Sequence, residues 1–258
     1  MDARRRSVLT VIAKLAAVIV VVAGIAVTGF LVFREDPPPE PWDDSVAAYV
    51  GPEAIAEEQV AAVIDELRTT REETYQERLA ELPDDADPAE REALQAQIDG
   101  LEERLRFDHE RVIEMRILTE AGAHYAEQAG LTVPEPDPDL VGGELGLAPD
   151  HSYIVVAAEF VAVMNVLSAE VEATEPTETD QREIYDHMVA QGLSGVTFEQ
   201  AQEVLTIEVI GEPVGMRNLI SQVVEQAEVR VNPRYDLVYR VPVRLGEAET
   251  WLGVPLGG

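Results

Sequence analysis

Nineteen consecutive residues, Leu15–Phe33 (LAAVIVVVAGIAVTGFLVF), carry no charge. At about 1.5 Å per residue they would make a helix about 28 Å long, close to the hydrocarbon thickness of a bilayer. Arg4, Arg5 and Arg6 precede the run; Arg34, Glu35 and Asp36 follow it. This bias predicts a single-pass transmembrane anchor over 15–33, with residues 1–14 as a basic cytoplasmic tip and the rest of the chain outside. A cleaved signal peptide is the competing reading, with Gly24 and Ala26 as its small-residue pair. The run continues through Val27–Phe33, beyond the usual length of a signal core, which favours the uncleaved anchor.

Residues 34–45 follow as a linker whose first part is Glu35-Asp36-Pro37-Pro38-Pro39-Glu40-Pro41. Consecutive prolines hold extended polyproline geometry and act as a semi-rigid spacer. The negative charge of this stretch repels anionic headgroups and sets the body off the bilayer.

Over all 258 residues, 50 acidic and 19 basic side chains give a net charge of -31. The first 34 residues hold five of the basic ones against the single acid Asp2, so the remainder sets 14 basic against 49 acidic residues. A body so acidic argues against a nucleic-acid partner, which needs a basic patch on the phosphates. The absence of cysteine excludes disulfides, zinc–cysteine sites, thiol catalysis and a lipoprotein cysteine.

Beyond the linker the patterning is mainly α. Val46–Gly51 reads as a short strand and turn, and a long helix is expected from about Glu53 to Leu82, with Ile55, Val60, Val63, Ile64 and Leu67 at helical spacing. Pro83–Pro88 breaks it, and a second helix is expected from about Ala89 to Gly130. Leu94, Ile98, Leu101, Leu105, Val112 and Met115 form its seam, with Asp108 interrupting. The two make a long helical hairpin over about 53–130, on which Glu102, Glu103 and Arg106 read as a solvated face. Leu131–Pro149 reads as a Pro/Gly-rich connection. His151–Ala173 is apolar nearly all round and unflanked by basic residues, so it is expected to be a buried core helix, not a second span. A weak capping signal at Thr177–Asp180 opens a helix to about Gln191. A capping box at Thr197–Gln200 opens another, expected to reach Ile210 and restart after Gly211-Glu212-Pro213. A short strand over 228–233 closes the domain placed at 46–235 and is expected to pair with the N-terminal strand. Residues 236–258 then form a tail with strand-like stretches at Tyr235–Leu245 and 251–256.

No catalytic pattern emerges. His109, His124, His151 and His187 have no metal-ligand spacing and read as solvated or capping residues. Asp84, Asp85 and Asp87 lack the glycine and terminal glutamate of a calcium loop. No nucleophile elbow or phosphate-binding loop is present. Catalytic, cofactor and metal sites are therefore all expected to be absent, and the residues that would bind peptide are not set by the sequence.

Four segments, in order, carry a resemblance. Val46–Glu58 resembles the opening of the SurA/PrsA-type foldases, and Arg111–Gly122 is similar to their later helix, ending near Gly130. Pro176–Asp180 with Tyr185 resembles the start of their closing helical part, and Val229–Tyr235 their terminal strand. The arginine-rich, lysine-poor composition resembles versions from high-GC Gram-positive bacteria. The resemblance implies a helical module of the SurA N-terminal kind that binds unfolded or exported chains. Many members insert a parvulin isomerase; Gly142–Gly146 echoes one of its stretches, but the 19 residues of Leu131–Pro149 are too few for that domain. The expected function is thus an anchored extracytoplasmic chaperone-like module without catalysis, its partners being unfolded or translocating polypeptides and the bilayer. The alternative is a cell-envelope structural or adaptor protein that binds a partner through the acidic hairpin.

Overall fold

The structure, a computed structural model, describes residues 42–83, 88–192, 195–246 and 248–257. Residues 1–41, on which the expected basic tip, anchor and most of the linker fall, lie outside the described residues, as do Asp84, Asp85 and Asp87. The chain from Asp43 onward is mainly helical with a few short antiparallel strands. It opens with β1 (Val46–Val50) and β2 (Glu53–Ala56), followed by α1 (Glu57–Glu81), α2 (Pro88–Asp99) and α3 (Leu101–Ala129). Next come α4 (Pro138–Leu145), α5 (Ser152–Ala169), α6 (Glu178–Ala190), α7 (Phe198–Gln202) and α8 (Ile207–Gln226). Three strands end it: β3 (Arg230–Val231), β4 (Val238–Leu245) and β5 (Ala248–Pro255).

The apolar helix α5 lies at the centre. It is long and apolar enough to cross a membrane, yet α1, α3, α4 and α8 pack around it and bury Ile154, Val156, Phe160, Val163, Met164 and Leu167. Its N-terminus is capped by His151, whose Nδ1 accepts from the Tyr153 N–H at 3.1 Å. The closest approach is to α3 at Gly122, where an added Cβ would stand 2.4 Å from Val163 Cγ1. α1 buries Val60, Val63, Ile64 and Leu67 and runs back along α3. Two ion pairs cross this hairpin, Arg68 to Glu102 at 3.1 Å and Arg71 to Asp108. Asp108, which interrupts the apolar seam of α3, is thus the buried end of a cross-link.

β1 is the middle strand of a three-stranded antiparallel sheet, with β2 on one side and β3 on the other. Ala48 stands opposite Val231 and Tyr49 opposite Arg230, so strands far apart in sequence close the body. Buried Asn232 extends the closure through its side-chain N–H to the Val46 carbonyl, 3.0 Å. Thr177 and Asp180 form a full capping box on α6, and the fully buried Asp180 also pairs with Arg217 of α8.

Several boundaries differ from the sequence reading. Glu53–Ala56 is a strand, because Ile55 pairs across the Gly51 turn with Ala48 and tertiary pairing overrides the helical preference of Glu and Ala. The helix expected over 89–130 is two, divided at Gly100. The connection Leu131–Pro149 contains α4, opened by Asp137, whose side chain accepts from the Leu140 N–H at 3.0 Å, and by Pro138 at its first position. Gly142–Gly146 is therefore the end and cap of a helix, not a loop. The helix begun at Thr197 stops at Gln202; the restart falls at Thr206, and α8 runs through Pro213.

The largest correction concerns 236–258, set apart above as a tail. β4 and β5 form a hairpin whose Tyr239, Val241, Val243, Leu252 and Val254 belong to the same buried cluster as the helices. Alternation of these with Arg240, Pro242 and Arg244 is the period-two pattern of a half-buried sheet.

Two glycines separate close packing from open space. A Cβ on Gly215 of α8 would lie 2.1 Å from the Glu172 carbonyl oxygen, while one on Gly143, inside α4, would meet nothing within 4 Å. Gly215→Ala is expected to cost about 1–3 kcal/mol through forced backbone movement. Gly143→Ala should gain about 0.5–1 kcal/mol from helix propensity. Urea denaturation of the two variants beside the native chain measures both signs.

Candidate functional site

A groove runs along the middle of α3. Phe107 stands out at 60% exposure, the rim of two adjoining cavities of about 260 and 680 Å³ that share it and Glu110. Glu103, Arg106, Phe107, Glu110, Arg111 and Glu114 recur at three- and four-residue steps and so share one face of the helix. The opposite wall comes from the segment between β3 and β4, with Arg234, Tyr235 and Asp236, and from the start of β4, with Val238 and Arg240.

At the base sits Glu57, the first residue of α1. The Tyr235 hydroxyl donates to its Oε1 at 2.8 Å, Arg234 forms an ion pair with it, and His109 Nε2 lies 3.6 Å away. One carboxylate therefore ties α1, α3 and the return from β3 together. Burial, and then the bond to Glu57, push the Tyr235 phenol up to about 12. Burial holds His109 below its ordinary value, against the pull of Glu57. Both shifts favour neutral side chains.

The 260 Å³ cavity is floored by aromatic and guanidinium contacts. Arg111 pairs with Glu114 at 2.9 Å and lies over the rings of Phe160 (5.3 Å) and Tyr239 (5.7 Å). The Glu114 carboxyl is pushed up by its burial, which outweighs the opposing Arg111 charge. The Tyr239 phenol is likewise raised by burial.

Arg106, Arg111, Arg234 and Arg240 all border the groove, four of only 14 basic residues past the N-terminal 34. Glu103, Glu110, Glu114 and Asp236 match them in number. On a body with more than three acids for each base, the groove is charge-balanced around one exposed aromatic ring. Such a surface can hold an extended chain by stacking, by apolar contact and by ion pairs of either sign.

Of the residues singled out from sequence, Glu103 and Arg106 fall on the groove, while Glu102 bonds Arg68. The four histidines are separate. His109 faces Glu57, His124 contacts Gln128 at 2.7 Å, His151 caps α5, and His187 bonds the Trp251 carbonyl at 3.0 Å. Among the described residues no group of three or more His, Asp or Glu is placed to hold a metal. Phe107 was missed because it lies off the apolar seam; its signal is an aromatic residue between charges on an otherwise solvated face. Val238 and Arg240 were missed because the chain after 235 was read as a tail. Comparison with models of protein families, with curated proteins and with solved structures finds no match to this chain.

The raised Glu114 carboxyl gives a pH test. Between its ordinary value of 4.5 and the raised one, the folded chain keeps a proton that the unfolded chain has released. Its contribution to stability therefore falls as pH rises through that window. Glu114→Gln, which still offers Arg111 an acceptor, is expected to gain on the native chain as pH goes from about 4.5 to about 7. Paired urea titrations read this, and a pH-independent difference contradicts it.

Proposed function

We propose that this chain is a membrane-anchored, extracytoplasmic chaperone-like protein that binds unfolded or exported polypeptides without catalysis, with residues 15–33 as its anchor. The observation that carries the reading is Phe107, a large apolar ring left 60% exposed between two cavities on a charge-balanced wall. An exposed aromatic ring beside cavities offers stacking and apolar contact to a partner chain. The sequence resemblance to SurA-type modules supports the same reading, and the joining of β1 to β3 is the closure that resemblance leads one to expect.

A second reading, an envelope adaptor, is favoured by the far part of the hairpin. Past Leu67, α1 continues to Glu81 with no buried residue, about 21 Å of helix, and α2 buries Leu94 alone among its described side chains. This acidic arm is available to a partner without disturbing the core.

Full-length protein in non-ionic detergent should slow aggregation of an unfolded reporter. Phe107→Asp removes the apolar ring from a solvent position, so the fold should persist while holding activity drops severalfold. Unchanged activity in that variant argues against the groove. Replacing residues 77–98 with a short turn should leave the holding activity intact; loss of a crosslinked partner after that replacement would favour the adaptor instead.

A further inference from the structure

The β4–β5 hairpin is a two-stranded sheet whose two edges differ. On the β5 edge, Glu183 of α6 accepts from the Gly253 N–H at 2.6 Å, and His187 Nδ1 donates to the Trp251 carbonyl at 3.0 Å. The His187 ring also stacks on Trp251, centroids 4.2 Å apart. One turn of helix thus covers the middle of that edge with side chains.

These bonds also fix which way β4 faces. The Gly253 and Trp251 backbone groups point away from β4, so their register partners, Arg240 and Pro242, belong to non-hydrogen-bonded pairs whose own backbone groups point away from β5. By the two-residue alternation, Val238 and Arg244 do the same. The N–H and C=O of Val238, Arg240 and Arg244, with the C=O of Pro242, form a row about 20 Å long with no partner among the described residues. Pro242 fits here, since proline is tolerated in a strand where its missing N–H falls on an open edge.

The same residues border two cavities. Val238 and Arg240 line the one beside Phe107; Pro242 and Arg244 line another of about 500 Å³, whose wall includes Val171, Val209 and Met216. Neither cavity reaches a residue of β5. The open edge therefore has a charge-lined recess holding the Phe107 ring at one end and a mainly apolar recess at the other.

We propose that the open edge of β4 takes an extended polypeptide as a further strand, and that the segment it fits alternates acidic with apolar residues. This deepens the peptide-binding reading above and rests on it. Residues of an added strand opposite Arg240 and Arg244 share their solvent face, where opposite charges pair favourably across strands. The residues between turn to the other face, toward Phe107 at one end and Val209 and Met216 at the other. In the free chain neither arginine has a close buried partner: Arg240 lies over the Trp251 ring and feels the Glu114 charge across the cavity, and Arg244 meets Glu249 at 3.6 Å in an exposed pair. The acidity of the whole body opposes an acidic segment at long range. At physiological salt that field is screened beyond about 8 Å, whereas facing side chains on paired strands stand about 5 Å apart.

Charge also argues against a second copy as the occupant. Two β4 edges paired antiparallel about Pro242 would set Arg240 of each against Arg244 of the other, with two prolines and no donor at the centre. Like charges and a missing bond disfavour that dimer and leave the edge to a partner of opposite sign.

The test titrates the full-length protein in detergent with three fluorescein-labelled heptapeptides: alternating glutamate and valine, its lysine counterpart, and the glutamate peptide N-methylated on alternate amides. The glutamate peptide is expected to bind at least tenfold more tightly than either of the others. Arg240→Glu with Arg244→Glu should reverse the charge preference; Arg244→Glu alone serves if the double variant loses cooperative unfolding. Equal binding of all three peptides, no binding, a preference untouched by the arginine changes, or a dimer that the peptide does not compete would each overturn the proposal. Aggregation of the reporter is followed on the same preparation. Holding without peptide discrimination sinks the edge alone, and discrimination without holding sinks the chaperone reading while the edge stands.

Discussion

A helix apolar nearly all round has to bury most of its surface, and α5 imposes that requirement on the body. α1, α3, α4 and α8 gather around one side of it, leaving Val155, Val161 and Asn165 exposed and Glu159 half-buried on the other. Burying side chains such as Ile154, Val163 and Leu167 contributes on the order of 1.5–3 kcal/mol each, far more than any single surface pair. The approach of α3 is set by Gly122, where a side chain would collide with Val163. Once α3 lies along α5, its outward face, carrying Phe107 and Arg111, is fixed as one wall of the groove.

The second constraint is closure. β1 and β3 meet although more than a hundred residues separate them, and Glu57 holds Tyr235 and Arg234 just beyond the join. This places the start of β4 against α3 and so supplies the other wall. The C-terminal hairpin then lays Tyr239, Val241 and Val243 on the core while its solvent face and outer edge stay open. The peptide-binding reading depends on this arrangement, since each half of the groove comes from a different end of the body.

Much of this was legible in the residues. The helical hairpin, the buried character of α5, the Thr197 capping box and the two closing strands follow from periodicity and capping chemistry. What was not legible follows from partners distant in sequence. Glu53–Ala56 has helix-forming residues and becomes a strand only because β1 lies beside it. Asp108 reads as a break in a seam until Arg71 is placed opposite. Pro242 argues against a strand unless one edge is open, and that is known only once α6 is seen on the other. The charge reading sharpened in the same way. A strongly acidic body stated as an average conceals a groove where four arginines gather.

The C-terminal hairpin is both part of the core and a wall of the groove. The most direct measurement is urea unfolding, followed by tryptophan-independent far-UV dichroism, of a chain ending at Tyr235. Loss of Val241, Val243, Leu252 and Val254 from the buried cluster predicts that the cooperative transition disappears or shifts far toward zero denaturant. A shortened chain that unfolds with the midpoint and slope of the full one would show that the hairpin is an appendage, and would contradict the fold and the groove together.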